Sequence, residues 1–293
     1  MSTQLSEISI GPTAVAWRAL AAFCRRHPTV VAGCAVLAIM AGVAIVAPHY
    51  TVDPLEVDPV NRLQFPSPER PFGTDNLGRD MFSRTLNGGR ISLTIGLSVA
   101  VLATIFGLLV GIVSGFFRAV DAVLMRVMDG LMAIPEILLA IALMSVTSAS
   151  VRNVIIAIAV PAVPRMARLV RSIVLSIREQ PYVEAAISIG TRPPKLLYRH
   201  ILPNTMAPVL VQATYVFASA MLAEALLSFI GAGPPPEVPS WGNGIASGRT
   251  YFLLAPWIIY FPGAFLAATV LAVNVMGDGM CDMLDPRLAR QMK

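Results

Sequence analysis

Few residues of this chain are of a type that does chemistry, and several of those lie where water should be scarce. Asp129, Glu136 and Glu224 fall within long apolar runs, where a carboxylate is costly unless it finds partners or a wet crevice. Arg165, Arg168 and Arg171 recur at helical spacing and form one basic stripe. A proton relay, a contact with cargo, or hydrogen bonding to a neighbouring helix would each use such groups. For Glu224 the favoured reading is a buried carboxyl bonded to nearby backbone or a neighbouring span, with a gate or cargo contact as the alternative. Asp129 is close enough to the end of its run to reach the interface, and Glu136 is deep enough to line a pathway. The arginine stripe is expected to be a solvated or headgroup-facing surface, with attraction of an anionic cargo as the alternative.

Catalysis finds no footing elsewhere. His27, His49 and His200 are isolated, and Cys24, Cys34 and Cys281 stand far apart with no CxxC or His-rich spacing, so no metal site is expected. No GxxxxGK[ST] phosphate loop occurs, and Lys195 and Lys293 lie in no glycine-rich cradle. HExxH and nucleophile-elbow patterns are missing too. The expectation is a chain with no catalytic residue and no cofactor of its own.

The elements that must position these groups are membrane helices. Hydrophobic residues make up 56% of the 293 and charged ones 13%, with a mean hydropathy of +0.70, far from the mix of a water-soluble domain. The apolar runs are long enough to cross a hydrocarbon core of roughly 30 Å as helices. Six spans are predicted: Val30 to Ala47, Ile91 to Phe117, about Val127 to Val146, a fourth from near Asn153 continuing through the arginine stripe, about Ala207 to Ile230, and about Phe252 to Val275. The second is rich in Gly, Ala and Ser, which permits close helix contact. A net charge of +5 does not argue for nucleic acid, because the basic residues sit in short tracts beside the apolar runs.

Those tracts set the orientation. Arg165, Arg168, Arg171, Arg178, Arg192, Lys195 and Arg199 outweigh Glu179 and Glu184, which puts the segment between spans four and five in the cytoplasm. Arg18, Arg25 and Arg26, Arg118 and Arg126, and Arg287, Arg290 and Lys293 agree, so both termini are cytoplasmic. The fold class expected is an all-α integral membrane protein of six transmembrane helices. Residues 1–28 form a cytoplasmic N-terminal segment, 29–47 the first transmembrane helix, 48–90 a proline-rich extracytoplasmic loop, 91–280 a five-helix core, and 281–293 a cytoplasmic tail. Gly231 to Trp241, with Pro234-Pro235-Pro236, is expected to be a stiff extended outer loop.

Between spans four and five lies REQPYVEAAISIGTRPPKLLYRHILP, Arg178 to Pro203. Pro181 suits a first helical turn, Glu184 places negative charge near the helix N-terminus, and Gly190 suits a left-handed C-terminal cap. A short helix at about 181–190 follows. Val183, Ala186, Ile187 and Gly190 recur on one small apolar face that could press into a groove on a soluble partner. Pro193 and Pro194 open a second helix, and Pro203 should break the chain before span five.

Tyr182, Glu184-Ala185-Ala186, Gly190 and the Leu202-Pro203 ending together resemble the EAA loop of binding-protein-dependent ABC importer permeases. His200 departs from the broad pattern, which has isoleucine there, but Arg199-His200-Ile201-Leu202-Pro203-Asn204 is similar to the peptide and nickel branch. Gly73-Thr74-Asp75-Asn76-Leu77-Gly78-Arg79-Asp80, with Ser83-Arg84 and Gly88-Gly89-Arg90 after it, resembles the signature of that branch's C-type subunit, as does the ending Asp282 to Arg287. The resemblance implies a multi-pass bacterial inner-membrane subunit paired with a homologous B-type permease. It implies one or two cytoplasmic ATPases that use ATP and Mg, and an extracytoplasmic substrate-binding protein. The helix at 181–190 would be the coupling helix that docks on an ATPase. Peptides are the leading cargo, with nickel, glutathione or another small solute as alternatives. A proton-coupled secondary carrier using Glu136 and Glu224 is the reading from another class.

Overall fold

The computed structural model describes residues 24–25 and 27–284. Most of the expected N-terminal segment, including Arg18 and Arg26, lies outside the described residues, as does the ending from Asp285 that holds Arg287, Arg290 and Lys293. Among the described residues the fold is helical, and the one β-bridge joins Thr74 to Asp80.

The longest apolar runs form the long helices. Helix α1 spans Pro28–Tyr50, α2 Met81–Phe116, α3 Arg118–Met132, α4 Glu136–Val146 and α5 Val151–Arg178. Two short helices follow, α6 at Pro181–Ser188 and α7 at Pro193–Leu196; then come α8 at Leu202–Ile230, α9 at Trp241–Gly248 and α10 at Trp257–Leu284. Among the described residues, five helical segments are long and apolar enough to cross a membrane, and the bent pair α3–α4 makes a sixth crossing if taken as one span. The expected third span is therefore not one rod. Pro135 cannot donate into an ongoing helix, and the two pieces meet at 88°.

Helix α2 is the axis of the bundle. Its 36 residues extend about 54 Å, well beyond the apolar core of a bilayer. It begins at Met81, earlier than the expected Ile91, because Asp80 caps it by accepting from the Ser83 amide at 2.8 Å. Small residues then let α5 come close. A Cβ added at Gly111 would lie 2.5 Å from Val170 Cβ, and one at Gly115 would lie 2.7 Å from Val174 Cβ. The core beside this seam is made of Ile95, Val99, Ala103, Ile158, Met166 and Val170, all fully buried.

The two ends of the bundle differ. At one end the 51–80 loop folds over the start of α2, with Ser83 Oγ donating to the Val52 carbonyl, and α9 tucks in beside it. At the other end α6 and α7 pack beneath the ends of α2 and α5. Arg178 ties that end together, donating from Nη1 to the Phe116 carbonyl at 3.0 Å while its guanidinium lies over the Phe116 ring.

Pro203 does not break the chain. Residues Pro193–Ile230 form one continuous helical rod, with a π turn over Leu197–Ile201 just before the proline. A proline in a helix leaves one carbonyl without a donor and crowds it, and a widened turn relieves that crowding.

Candidate functional site

Helix α6 follows its local sequence closely. Pro181 stands in the first turn after an extended Gln180, Glu184 lies in that turn, and Gly190 has φ +78°, the left-handed conformation of a C-terminal cap. The Thr191 amide donates back to the Ala186 carbonyl at 3.0 Å and closes the cap. The orientation of the helix is not the one its apolar stripe predicts. Val183 and Ala186 turn inward and pack with Leu196 against Phe116 and Ile177 of the same chain. The outward side presents Glu184, Ala185 and Gly190 with Tyr182, Ile187 and Ile189, the last 83% exposed. Apolar side chains are thus left exposed on this outward side.

This helix is fixed to the long rod. Asn204 Nδ2 donates to the His200 carbonyl at 2.6 Å and to Tyr182 Oη at 3.4 Å, and the Tyr182 and His200 rings lie 6.2 Å apart. Asn204, quoted in the sequence only as part of a motif, is thus the bridge between α6 and the start of α8. Pro203 stands exposed in the first turn of α8.

The intramembrane carboxylates occupy two separate settings. Glu224 on α8 is fully buried, and its carboxylate accepts from Ser240 Oγ at 2.8 Å, Ser228 Oγ at 3.0 Å and Ser92 Oγ at 3.4 Å. Those hydroxyls work in both directions, since Ser92 Oγ accepts from the Trp241 amide and Ser240 Oγ from the Asn243 amide. Glu224 therefore pins the N-terminus of α9 to α2 and α8. Helix α9 itself is not evident in the sequence, where WGNGIASG reads as a glycine-rich loop. Its Trp241 is buried and donates from Nε1 to the Thr85 carbonyl at 2.8 Å.

Asp129 and Glu136 belong to a ladder of ion pairs. Arg165 Nη2 lies 3.1 Å from Glu136, Arg168 Nη2 2.7 Å from Asp129, and Arg171 grips both oxygens of Asp121 at 2.5 and 2.6 Å. The arginine stripe is thus paired, not a bare solvated face. Asp121, which the sequence did not single out, is its best-held partner. Glu136 and Glu224 share no hydrogen-bond partner among the described residues.

The Gly73 to Asp80 signature forms a compact knot. Thr74 Oγ1 donates to the Asn61 carbonyl at 2.6 Å and accepts from the Gln64 amide at 2.8 Å. Asp75 accepts from the Arg79 amide at 2.9 Å and from Arg79 Nε at 2.6 Å. Gly73 and Gly78 take positive φ. A side chain at Gly78 would strike the Asp58 carbonyl, and Trp257 Nε1 ties the knot to α10 by donating to the Thr74 carbonyl at 3.1 Å. Just outside it, Asn61 donates to Asp58, and with the Arg70 guanidinium holds that partly buried carboxyl below the usual range.

The chain matches a family described as "Binding-protein-dependent transport system inner membrane component" over residues 103–290, which include α6. The chain belongs to that family. A probable peptide ABC transporter permease protein of Sinorhizobium fredii is 52% identical over 267 residues, covering 91% of this chain and 92% of that protein. The dipeptide transport system permease protein of Alkalihalophilus pseudofirmus is 40% identical over 274 residues, covering 93% and 90%. Among solved structures, the inward-facing MetNI methionine ABC transporter matches with a TM-score of 0.57 at 19% identity, over 73% of this chain and 98% of that one. That likeness is one of fold. As a family member the chain is a multi-pass inner-membrane component of an importer, a permease subunit like its relatives.

Proposed function

We propose that the chain forms half of a translocation pathway for peptides, in a heterodimer with a homologous B-type permease. Peptides are the cargo named for both of the relatives described above. An extracytoplasmic binding protein delivers the peptide, and cytoplasmic ATPases supply ATP and Mg chemistry in trans. In this reading the end that carries α6 faces the cytoplasm, as do both termini, because Arg178, Arg192, Lys195 and Arg199 cluster there.

The observation that carries the reading is α6. It is a short helix, anchored through Val183 and Ala186 to its own bundle and through Asn204 to α8, with Tyr182, Glu184, Ala185, Ile187 and Ile189 facing outward. Such an element moves as one body with the long rod that follows it. Force applied to its outer face by an ATPase passes along the rod from Pro193 to Ile230, toward the opposite end of the bundle. Alternating access follows when two such permeases rock against each other. Asp129 and Glu136 lie on the broken span and pair with arginines of α5, where this rocking would open or close space.

The test is uptake and ATPase activity in the assembled transporter. Glu184→Lys places a cation at the positive end of α6 and on its docking face. Gly190→Val forces a β-branched residue into a left-handed backbone. Both are expected to reach the membrane in normal amounts, to lower peptide uptake at least about tenfold and to co-purify with less ATPase. Normal uptake by both variants would overturn the coupling role.

A further inference from the structure

The signature knot does more than stiffen a loop: it sets two arginines at the edge of a cavity. This cavity, about 280 Å³, opens between the start of α2, the 231–236 loop and α9, and Arg79, Arg84, Asn243 and Ser247 are among its lining residues. None of the lining residues is acidic. Arg79 is 8% exposed and Arg84 3%, so both guanidiniums are held by the fold and do not wave in solvent.

Their charges are unequally answered. The side-chain hydrogen bond of Arg79 among the described residues goes through Nε to Asp75. Arg84 has no carboxylate partner there: Nη1 donates to the Pro54 carbonyl at 3.1 Å, Nη2 reaches the Pro236 carbonyl at 3.5 Å, and Nε is buried with no acceptor. A buried cation bonded only to neutral carbonyls favours the arrival of an anion.

A second cavity adjoins the first. It measures about 240 Å³, shares Ala149, Gly231 and Gly233 with its neighbour, and is lined by Ile141, Met144 and Ala232 with Ser145 and Thr147. A cationic cavity against a largely apolar one matches a small ligand with a carboxylate and an apolar group a few ångströms apart.

We infer that these paired cavities are a subsite for the C-terminal residue of a cargo peptide, with its α-carboxylate at Arg79 and Arg84 and an apolar side chain over Ile141 and Met144. The inference rests on the proposed peptide import and on the signature end facing outward, where cargo first meets the chain. Its consequence is that the permease itself, not only the binding protein, selects for a free C-terminus.

The experiment measures uptake of a short peptide ending in leucine and of the same peptide as its C-terminal amide. It uses cells in which the intact transporter carries either the native chain or a variant. A common binding protein cancels its own preference from the comparison. Arg84→Gln removes the charge, and Ser247→Glu leaves both arginines in place but supplies a competing carboxylate at the cavity wall. Each is expected to lower the acid-to-amide uptake ratio about tenfold, the size of one lost charge-assisted hydrogen bond. An unchanged ratio, or equal loss of both peptides at normal membrane abundance, overturns the subsite. If Arg84→Gln fails to reach the membrane, Ser247→Glu decides alone. If the native chain takes up neither peptide, the peptide reading itself fails, which is a different result from uptake of both at a fixed ratio.

Discussion

At the scale of single residues, Glu224 separates two kinds of transporter. Its carboxylate accepts from Ser92, Ser228 and Ser240, and two of those hydroxyls hold backbone amides of α9. Glu224→Ala leaves these buried hydroxyls short of an acceptor and should destabilise the chain by about 2–4 kcal/mol, read as a lower thermal midpoint in detergent. Glu224→Gln keeps an acceptor of the same reach. It is expected to retain most of its stability and nearly normal uptake. Loss of uptake by a well-folded Gln variant would point to a proton relay and to the secondary-carrier reading. The type and depth of Glu224 could be read from the sequence. Its partners could not, because Ser92 lies 132 residues away. The arginine ladder was hidden for the same reason, since its pairs are 29, 39 and 50 residues apart.

At the scale of elements, the seam between α2 and α5 sets how close the bundle packs. Gly111→Leu puts side-chain atoms where Val170 and the Ala167 carbonyl already stand, and should cost on the order of 1–3 kcal/mol. Gly130 on α3 is the control. Nothing lies within 4 Å of a Cβ added there, so Gly130→Ala should be neutral or stabilise by up to about 1 kcal/mol. Equal effects at the two sites, measured by thermal denaturation in one detergent, would refute the seam. The grip of Arg171 on Asp121 is tested by a double-mutant cycle to Ala, with a coupling of about 1 kcal/mol expected because the pair is only partly buried. Long elements were legible because a lipid solvent demands long apolar runs. The break at Pro135 and the short α9 were not. A proline is compatible with either a bend or a straight membrane helix, and a helix as short as Trp241–Gly248 needs tertiary partners such as Thr85 and Glu224 to form at all. The facing of α6 failed for a related reason. Periodicity marks an apolar stripe without saying whether its own chain or a partner covers it, and here Phe116 and Ile177 took Val183 and Ala186.

At the scale of the whole molecule, the bent pair has a consequence for the life of the subunit. Helix α4 has 11 residues and a length of ~16 Å, about half of a bilayer's apolar thickness. Next to the Pro135 bend, Arg165 and Arg168 of α5 pair with Glu136 and Asp129, yet each keeps a side chain more than half exposed in the isolated chain. Lipid tails cannot solvate those half-exposed ion pairs, so a copy inserted without the proposed companion permease would draw water and headgroups into the membrane. Expressed alone, it should be cleared by membrane proteases with a half-life several-fold shorter than in the assembled complex, as a pulse-chase would show. In the proposed heterodimer such a subunit carries its own signal of incompleteness, and its synthesis has to be matched in amount and timing to that of its companion.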